Sequence, residues 1–201
     1  MGLINASIKK LLKATGLYDR LEEYFVNKLL LPFAAVGQVS VREARLLAHI
    51  TQGLQSDRPI IEIGTLFGRS TWLIAINKKN GQKLITVDNF SWNPCGISPR
   101  HHRRLTEALL RDLLTTGDAE ITFMDKHEFY RSYRGPRPAM VFLDADHSYQ
   151  ATKSDIEWAL SVNADVICGH DYAETMPGVV QAVDESGGTA EGTESLWILR
   201  R

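Results

Sequence analysis

From residue 58 onward the chain alternates short apolar runs with helical stretches, and this rhythm restricts the fold more than any other feature. The runs are Pro59–Ile63, Lys83–Val87, Glu120–Met124, Ala139–Leu143 and Ala164–Cys168, with a last one at Leu196–Leu199. The first five hold few polar residues and do not alternate, the pattern of strands buried on both faces of a parallel sheet. Between them Ser70–Lys79, His102–Leu114, Ser148–Leu160 and Gly178–Glu185 read as helices. This succession predicts an α/β fold: a doubly wound, mostly parallel Rossmann-like sheet with helices on both faces. The Gly187–Gly192 stretch leads to Leu196–Arg200, which is expected to close the sheet as an antiparallel edge.

Residues 1–54 read as a short N-terminal helical extension, and 55–201 as the sheet domain. Leu3, Ile4, Ile8, Leu11 and Leu12 recur at helical steps, and Gly16 is the expected stop. Leu17, Leu21, Tyr24, Phe25 and Leu29 resume the pattern until Pro32 breaks it. Ser40-Val-Arg-Glu43 reads as a capping box opening a further helix, Val41 to about Leu54.

The 23 basic and 24 acidic side chains give no excess charge that would call for a nucleic-acid partner. The longest apolar run, Leu29 to Val36, is too short to span a bilayer, so no membrane insertion is expected. Lys9, Lys10 and Lys13 interrupt the N-terminal apolar residues where a signal peptide would need continuity, and a cytoplasmic protein is the expectation. Cys95 and Cys168 have no metal-finger spacing.

Ligands of open parallel sheets bind beyond the carboxyl ends of the strands. Those positions are polar here: Glu62 and Gly64, Asp88, Asp125, Asp144 and His147, then His170 and Asp171. The first strand runs into Gly64-Thr65-Leu66-Phe67-Gly68-Arg69-Ser70. A phosphate-cradling loop needs four residues between its glycines followed by Lys-Ser/Thr, and a dinucleotide fingerprint needs three glycines. Neither spacing occurs. What remains is an acid two residues before a G-x-x-x-G turn, able to meet a cationic group and admit a nucleoside; a tight βα corner would use the same glycines. Asp88, 24 positions after Gly64, suits ribose hydroxyls or a turn; Asp125 suits an adenine amino group or the cap of a helix starting near Lys126. Asn89 to Arg100, with Phe90 and Trp92, reads as a lid loop or as a loop whose Trp92 packs on the domain. His101 and His102, beside Arg103 and Arg104, read as a solvated helix start.

The run Glu62-x-Gly64-x-x-x-Gly68-x-Ser70 with Asp88 resembles the cofactor site of class I S-adenosylmethionine-dependent methyltransferases. Phe142-Leu-Asp144-Ala-Asp146-His147-Ser-Tyr149 is similar to the Asp-x-Asp-His-Ser-Tyr signature of a bacterial small-molecule O-methyltransferase subgroup. Gly169-His170-Asp171-Tyr172, Pro177-Gly178-Val179 through Glu185, and Ser195-Leu196-Trp197 resemble its later segments. The resemblance implies that Glu62 holds the methionine amino group, with Gly64, Thr65 and Gly68 shaping the turn. It implies Ser70 at the carboxylate, Asp88 at the ribose and Asp125 at the adenine. It also implies a divalent cation, Mg or Mn, at Asp144, His170 and Asp171, and His147 as catalytic base. Histidine at 170 departs from the subgroup's acidic pair, and imidazole favours a softer metal. Asp144 and Asp171 with waters would serve alone, or His170 would act in another role.

The resulting expectation is an S-adenosylmethionine-dependent O-methyltransferase acting on a hydroxylated small molecule, sugars and glycosides included. A neutral His147 with an ordinary pKa near 6.5 would accept the proton. The rivals are a metal-independent N- or O-methyltransferase and a catalytically inactive cofactor-binding scaffold. Oligomeric state stays open, a homo-oligomer included.

Overall fold

Ile60–Ile63 (β1) and Met140–Leu143 (β4) are buried along their whole length, which sets them at the centre of one sheet. In the computed structural model, which describes residues 12–25, 38–191 and 195–199, β1 pairs in parallel with both Leu84–Asp88 (β2) and β4. Glu120–Phe123 (β3) flanks β2, and Val166–Gly169 (β5) flanks β4, again in parallel. The order is β3-β2-β1-β4-β5-β7-β6, where β6 is Gly188–Ala190 and β7 is Trp197–Leu199. The chain thus moves outward from β1 to β3 and returns to β4. That reversal leaves a crevice where β1 and β4 end, the place where such sheets bind ligands.

Alternate side chains of the strands feed two cores. Ile61, Ile63, Val141 and Leu143 share one with Ile156 of Tyr149–Ser161 (α7) and Val183 of Pro177–Glu185 (α8). Ile60, Met140 and Phe142 face the other, with Leu47 of Val41–Gln52 (α2) and Ile74 of Arg69–Asn77 (α3). The capping box of α2 forms as its sequence predicts, Ser40 and Glu43 bonding reciprocally. The expected division near residue 54 falls between α2 and β1, and Leu47 of α2 is fully buried in the second core.

Several expectations are corrected. The last run is antiparallel but interior, because β6 lies outside it. β6 has three residues, too few to give an apolar pattern. The expected helix 102–114 is two helices, Pro99–Leu109 (α4) and Arg111–Thr116 (α5), and it starts early because Ser98 caps it and Pro99 fits its first turn. Lys126–Ser132 (α6) is capped by Asp125. Near the N-terminus the backbone breaks at Gly16 as expected, before Leu17–Phe25 (α1). The apolar pattern at Leu3, Ile4, Ile8 and Leu11, and its continuation to Leu29 and Pro32, lie outside the described residues. Among the described residues no helix is long and apolar enough to cross a membrane.

Candidate active site

The first strand ends in a turn that only its own residues permit. Gly64 has φ +98, and a Cβ there would lie 2.0 Å from the carbonyl oxygen of Asp144. Gly68, with φ +83, caps α3 and abuts the side chain of Leu110. Between them Leu66 adopts φ +47, a conformation that costs free energy in a branched side chain and needs external support. Asp88 supplies that support: its Oδ2 accepts the Thr65 N–H (2.8 Å) and the Leu66 N–H (2.9 Å), and its Oδ1 accepts the Phe90 N–H (2.6 Å). The Leu66 carbonyl accepts from His102 Nε2 at 2.9 Å and from the Thr106 hydroxyl.

The expectation that His101 and His102 are solvated is therefore overturned. His102 is fully buried, and burial lowers its pKa, so it serves as a neutral donor to the turn. His101 pairs at 2.6 Å with the buried Glu22 of α1. Asp88 offers about four lone-pair sites in all. The turn uses three, which leaves one acceptor position for a ligand hydroxyl in this conformation.

Glu62 sits beneath the turn and does not line the crevice. Thr71 donates its hydroxyl to Oε2, while Oε1 is buried with no hydrogen-bond partner. Burial pushes its carboxyl up to about 7, with the hydroxyls of Ser70, Thr71 and Thr86 pulling the other way. A buried carboxylate oxygen without a partner is costly, and a cationic group would satisfy it. Thr65 and Ser70 are likewise buried; the Thr65 hydroxyl bonds that of Thr86 at 2.6 Å.

A cleft of about 580 Å³ opens from this turn, lined by Gly64, Leu66, Asp88, Trp92, Asp125, Asp144 and His147 among others. That volume is of the size that holds a nucleoside-sized molecule. Asp125 caps α6 with Oδ1, accepting the His127 and Glu128 N–H groups. Met124 and Lys126, unassigned by sequence reasoning, line the same end. Lys126 pairs at 2.8 Å with Asp155, which also accepts from Tyr130. Trp92 is 62% exposed while lining the cleft, so it does not pack on the domain.

Asp144, His147 and Asp171 each place one ligand atom within 4.8 Å of the others. His147 Nε2 lies 2.9 Å from Asp171 Oδ2 and 3.7 Å from Asp144 Oδ1. Asp144, and then Asp171, raise His147 to about 10, so the expected ordinary imidazole pKa is corrected: here it is a cation shared by two carboxylates. Burial opposes ionisation of Asp171, but the two neighbouring imidazoles hold its carboxyl well below the usual range. Asp171 itself has φ +64.

His170 stands outside this cluster. Its Nε2 faces Glu43 Oε1 (3.1 Å) and Ser195 Oγ (3.2 Å), and its Nδ1 faces Asp171 Oδ2 (3.3 Å). With both ring nitrogens so engaged, His170 lies outside the converging group, which gathers His147 beside Asp144 and Asp171. Burial works against the charged ring, but Asp171, Asp144 and Glu43 raise His170 to about 9. Glu43 is lowered to about 2 despite its burial, by bonds from Ser195 and Ser40 and by the charge of His170. The sequence placed Glu43 only in a helix cap, because its other partners, His170 and Ser195, are remote along the chain. A larger open cleft of about 980 Å³, lined by Glu43, Tyr172, Asp184 and Ser195 among others, contains none of the three cluster residues.

Residues 61–172, more than half of the chain, match the family described as a methyltransferase domain. No curated protein matches the chain. Among solved structures it is similar to cofactor-bound Rv0187 from MTB, at 19% identity and TM-score 0.66, covering 95% of this chain and 94% of that one. It is also similar to an O-methyltransferase from Bacillus cereus in complex with S-adenosylhomocysteine (16% identity, TM-score 0.65, 96% and 95% covered). A third is the O-methyltransferase TomG from Streptomyces achromogenes in complex with S-adenosylmethionine (17% identity, TM-score 0.63, 89% and 94% covered). At such identities the likeness establishes the fold.

Proposed function

The chain belongs to the methyltransferase-domain family, and on that premise we propose that it transfers a methyl group from S-adenosylmethionine to a hydroxyl of a small molecule, assisted by a divalent cation. The observation that carries this reading is the geometry of the cleft. Its walls carry the glycine turn and Asp88 together with Asp144 and His147, and Asp171 completes a half-buried cluster with the last two. The similar structures from Bacillus cereus and Streptomyces achromogenes hold S-adenosylhomocysteine and S-adenosylmethionine, which supports the same cofactor here.

The residues present fit both groups. The remaining acceptor site on Asp88, in the cleft beside the glycine turn, suits a nucleoside hydroxyl. The two carboxylates of Asp144 and Asp171 suit Mn²⁺ or Mg²⁺. When bound, the sulfonium supplies an electrophilic methyl group, and the cation lowers the pKa of a coordinated hydroxyl.

The chain's own part is alignment and proton transfer. Asp88 and the Thr65–Leu66 turn fix the nucleoside end, and Asp144 and Asp171 would hold the cation, the alignment that in-line attack needs. With a cation held there, the two carboxylates would no longer keep His147 protonated, and its Nε2 would accept the hydroxyl proton. The exposed Trp92 covers the cleft mouth and contributes to acceptor choice. A metal-independent reaction is the second reading, favoured by the 2.9 Å pairing through which His147 already neutralises Asp171.

Incubation with methyl-labelled S-adenosylmethionine and a panel of hydroxylated small molecules, glycosides included, tests the proposal. Labelled product with Mg²⁺ or Mn²⁺ and its loss in EDTA is expected. Full transfer in chelator would leave the metal-independent reading, and labelling of amines alone would contradict the hydroxyl acceptor.

A further inference from the structure

We propose that Glu43 is a positioning residue for the cation cluster, fixing the carboxylate of Asp171 through the ring of His170 and tying the start of α2 to the active site. The inference rests on the cation reading given above, and it concerns a residue that does not line the cleft of the glycine turn.

A capping glutamate needs one oxygen. In the capping box the Glu43 Oε2 accepts the Ser40 N–H at 2.7 Å, and the Ser40 hydroxyl accepts the Glu43 N–H at 3.2 Å. Such a residue normally stays at the helix surface. Glu43 is instead 4% exposed. Burying a carboxylate is unfavourable unless its remaining lone pairs are satisfied, so the second oxygen must have a use of its own. Oε1 accepts from the Ser195 hydroxyl and from the Ser195 N–H (3.2 Å), and lies 3.1 Å from His170 Nε2. Three segments that are remote in sequence therefore meet at one carboxylate: the first turn of α2, the end of β5 and the entry to β7.

The second half of the relay is the ring of His170. With Nε2 anchored by Glu43 and Ser195, its Nδ1 is presented to Asp171 Oδ2 at 3.3 Å. The same oxygen is the one that approaches His147. Asp171 has a left-handed backbone (φ +64) that a non-glycine residue keeps only when its surroundings enforce it. A fixed ring on one side of its carboxylate is such an enforcement. Groups that orient a metal ligand are worth about 10–100-fold in metal affinity.

The experiment uses the full chain and Mn²⁺ alone as probe, with affinity read by calorimetry and by the paramagnetic resonance of the free ion. Glu43→Gln keeps the volume and a capping acceptor but removes the charge facing His170. It should weaken Mn²⁺ binding about tenfold while S-adenosylhomocysteine affinity changes less than twofold. Ser40→Ala, which loosens the cap without touching His170, should lower the melting temperature and leave Mn²⁺ affinity unchanged. Equal Mn²⁺ affinity in Glu43→Gln and wild type, or an equal loss in Ser40→Ala, would overturn the proposal. If wild type binds no Mn²⁺, the cation reading fails by itself. Positioning is then decided by the imidazole resonances of His147, which should shift in Glu43→Gln and not in Ser40→Ala; an unshifted His147 overturns it.

Discussion

Gly64 and Asp144 meet backbone to backbone where β1 and β4 end: a Cβ on Gly64 would lie 2.0 Å from the Asp144 carbonyl oxygen. The cofactor turn and the first cluster carboxylate are therefore one mechanical unit. Gly64→Ala must push the strand ends apart or twist the turn, and its φ of +98 adds strain. A destabilisation of about 2 kcal/mol or more is expected, together with loss of S-adenosylhomocysteine binding in the protein that remains folded. Gly81→Ala, which has nothing within 4 Å of a new Cβ, should suffer only the backbone strain of its positive φ, about 1 kcal/mol. Denaturant titrations of the two variants side by side check this; equal effects would contradict it.

The central strands were legible because both their faces are buried, as Ile60–Ile63 and Met140–Leu143 show, whereas Glu120–Phe123 at the sheet edge is partly exposed. The polar strand ends followed from topology, and Asp144, His147 and Asp171 do converge. What pairwise long-range contact decides was not legible. His101 and His102 look solvated beside two arginines until Glu22, the Leu66 carbonyl and the Phe90 ring enclose them. The role of Glu43 depends on Ser195, 152 positions away. That Asp88 organises the turn, with three backbone N–H groups on its oxygens, is likewise invisible in the spacing that singled it out.

Glu62 should leave a signature in the pH dependence of stability. Its carboxyl is raised from 4.5 to about 7 by burial, so the folded protein binds the proton more tightly than the unfolded chain. The corresponding stability is fully present below about pH 4.5 and is lost as pH rises through about 7, on the order of 3 kcal/mol. Glu62→Gln, neutral throughout, should flatten this slope in denaturant titrations at pH 5 and pH 8. An unchanged slope would show that Glu62 does not titrate in that window.

Trp92 predicts a division between binding and folding. Because its side chain is largely solvent-exposed over the cleft, Trp92→Ala should change stability by no more than about 0.5 kcal/mol. The same variant should raise the KM for the acceptor several-fold and remove most of the fluorescence change on ligand binding. A large loss of stability with unaltered KM would assign Trp92 to the fold instead.

His147 and Asp171 separate chemistry from cofactor capture. His147→Ala should reduce turnover per folded molecule by about 10²–10⁴-fold, the usual worth of a positioned base. Asp171→Asn should abolish the response of activity to added Mg²⁺ or Mn²⁺. Neither should alter S-adenosylhomocysteine affinity more than about twofold, since the turn is braced by Asp88 and not by His147 or Asp171. A threefold or smaller loss of turnover in His147→Ala would remove the base role.

The central claim is that the turn braced by Asp88 is an S-adenosylmethionine site, and calorimetric titration of the wild-type chain with S-adenosylhomocysteine tests it most directly. One saturable site per chain is expected, weakened at least tenfold in Asp88→Ala, which loses both the ligand acceptor and the three bonds that hold Thr65, Leu66 and Phe90. The absence of binding to the wild type, or equal affinity in wild type and a folded Asp88→Ala, would contradict the account.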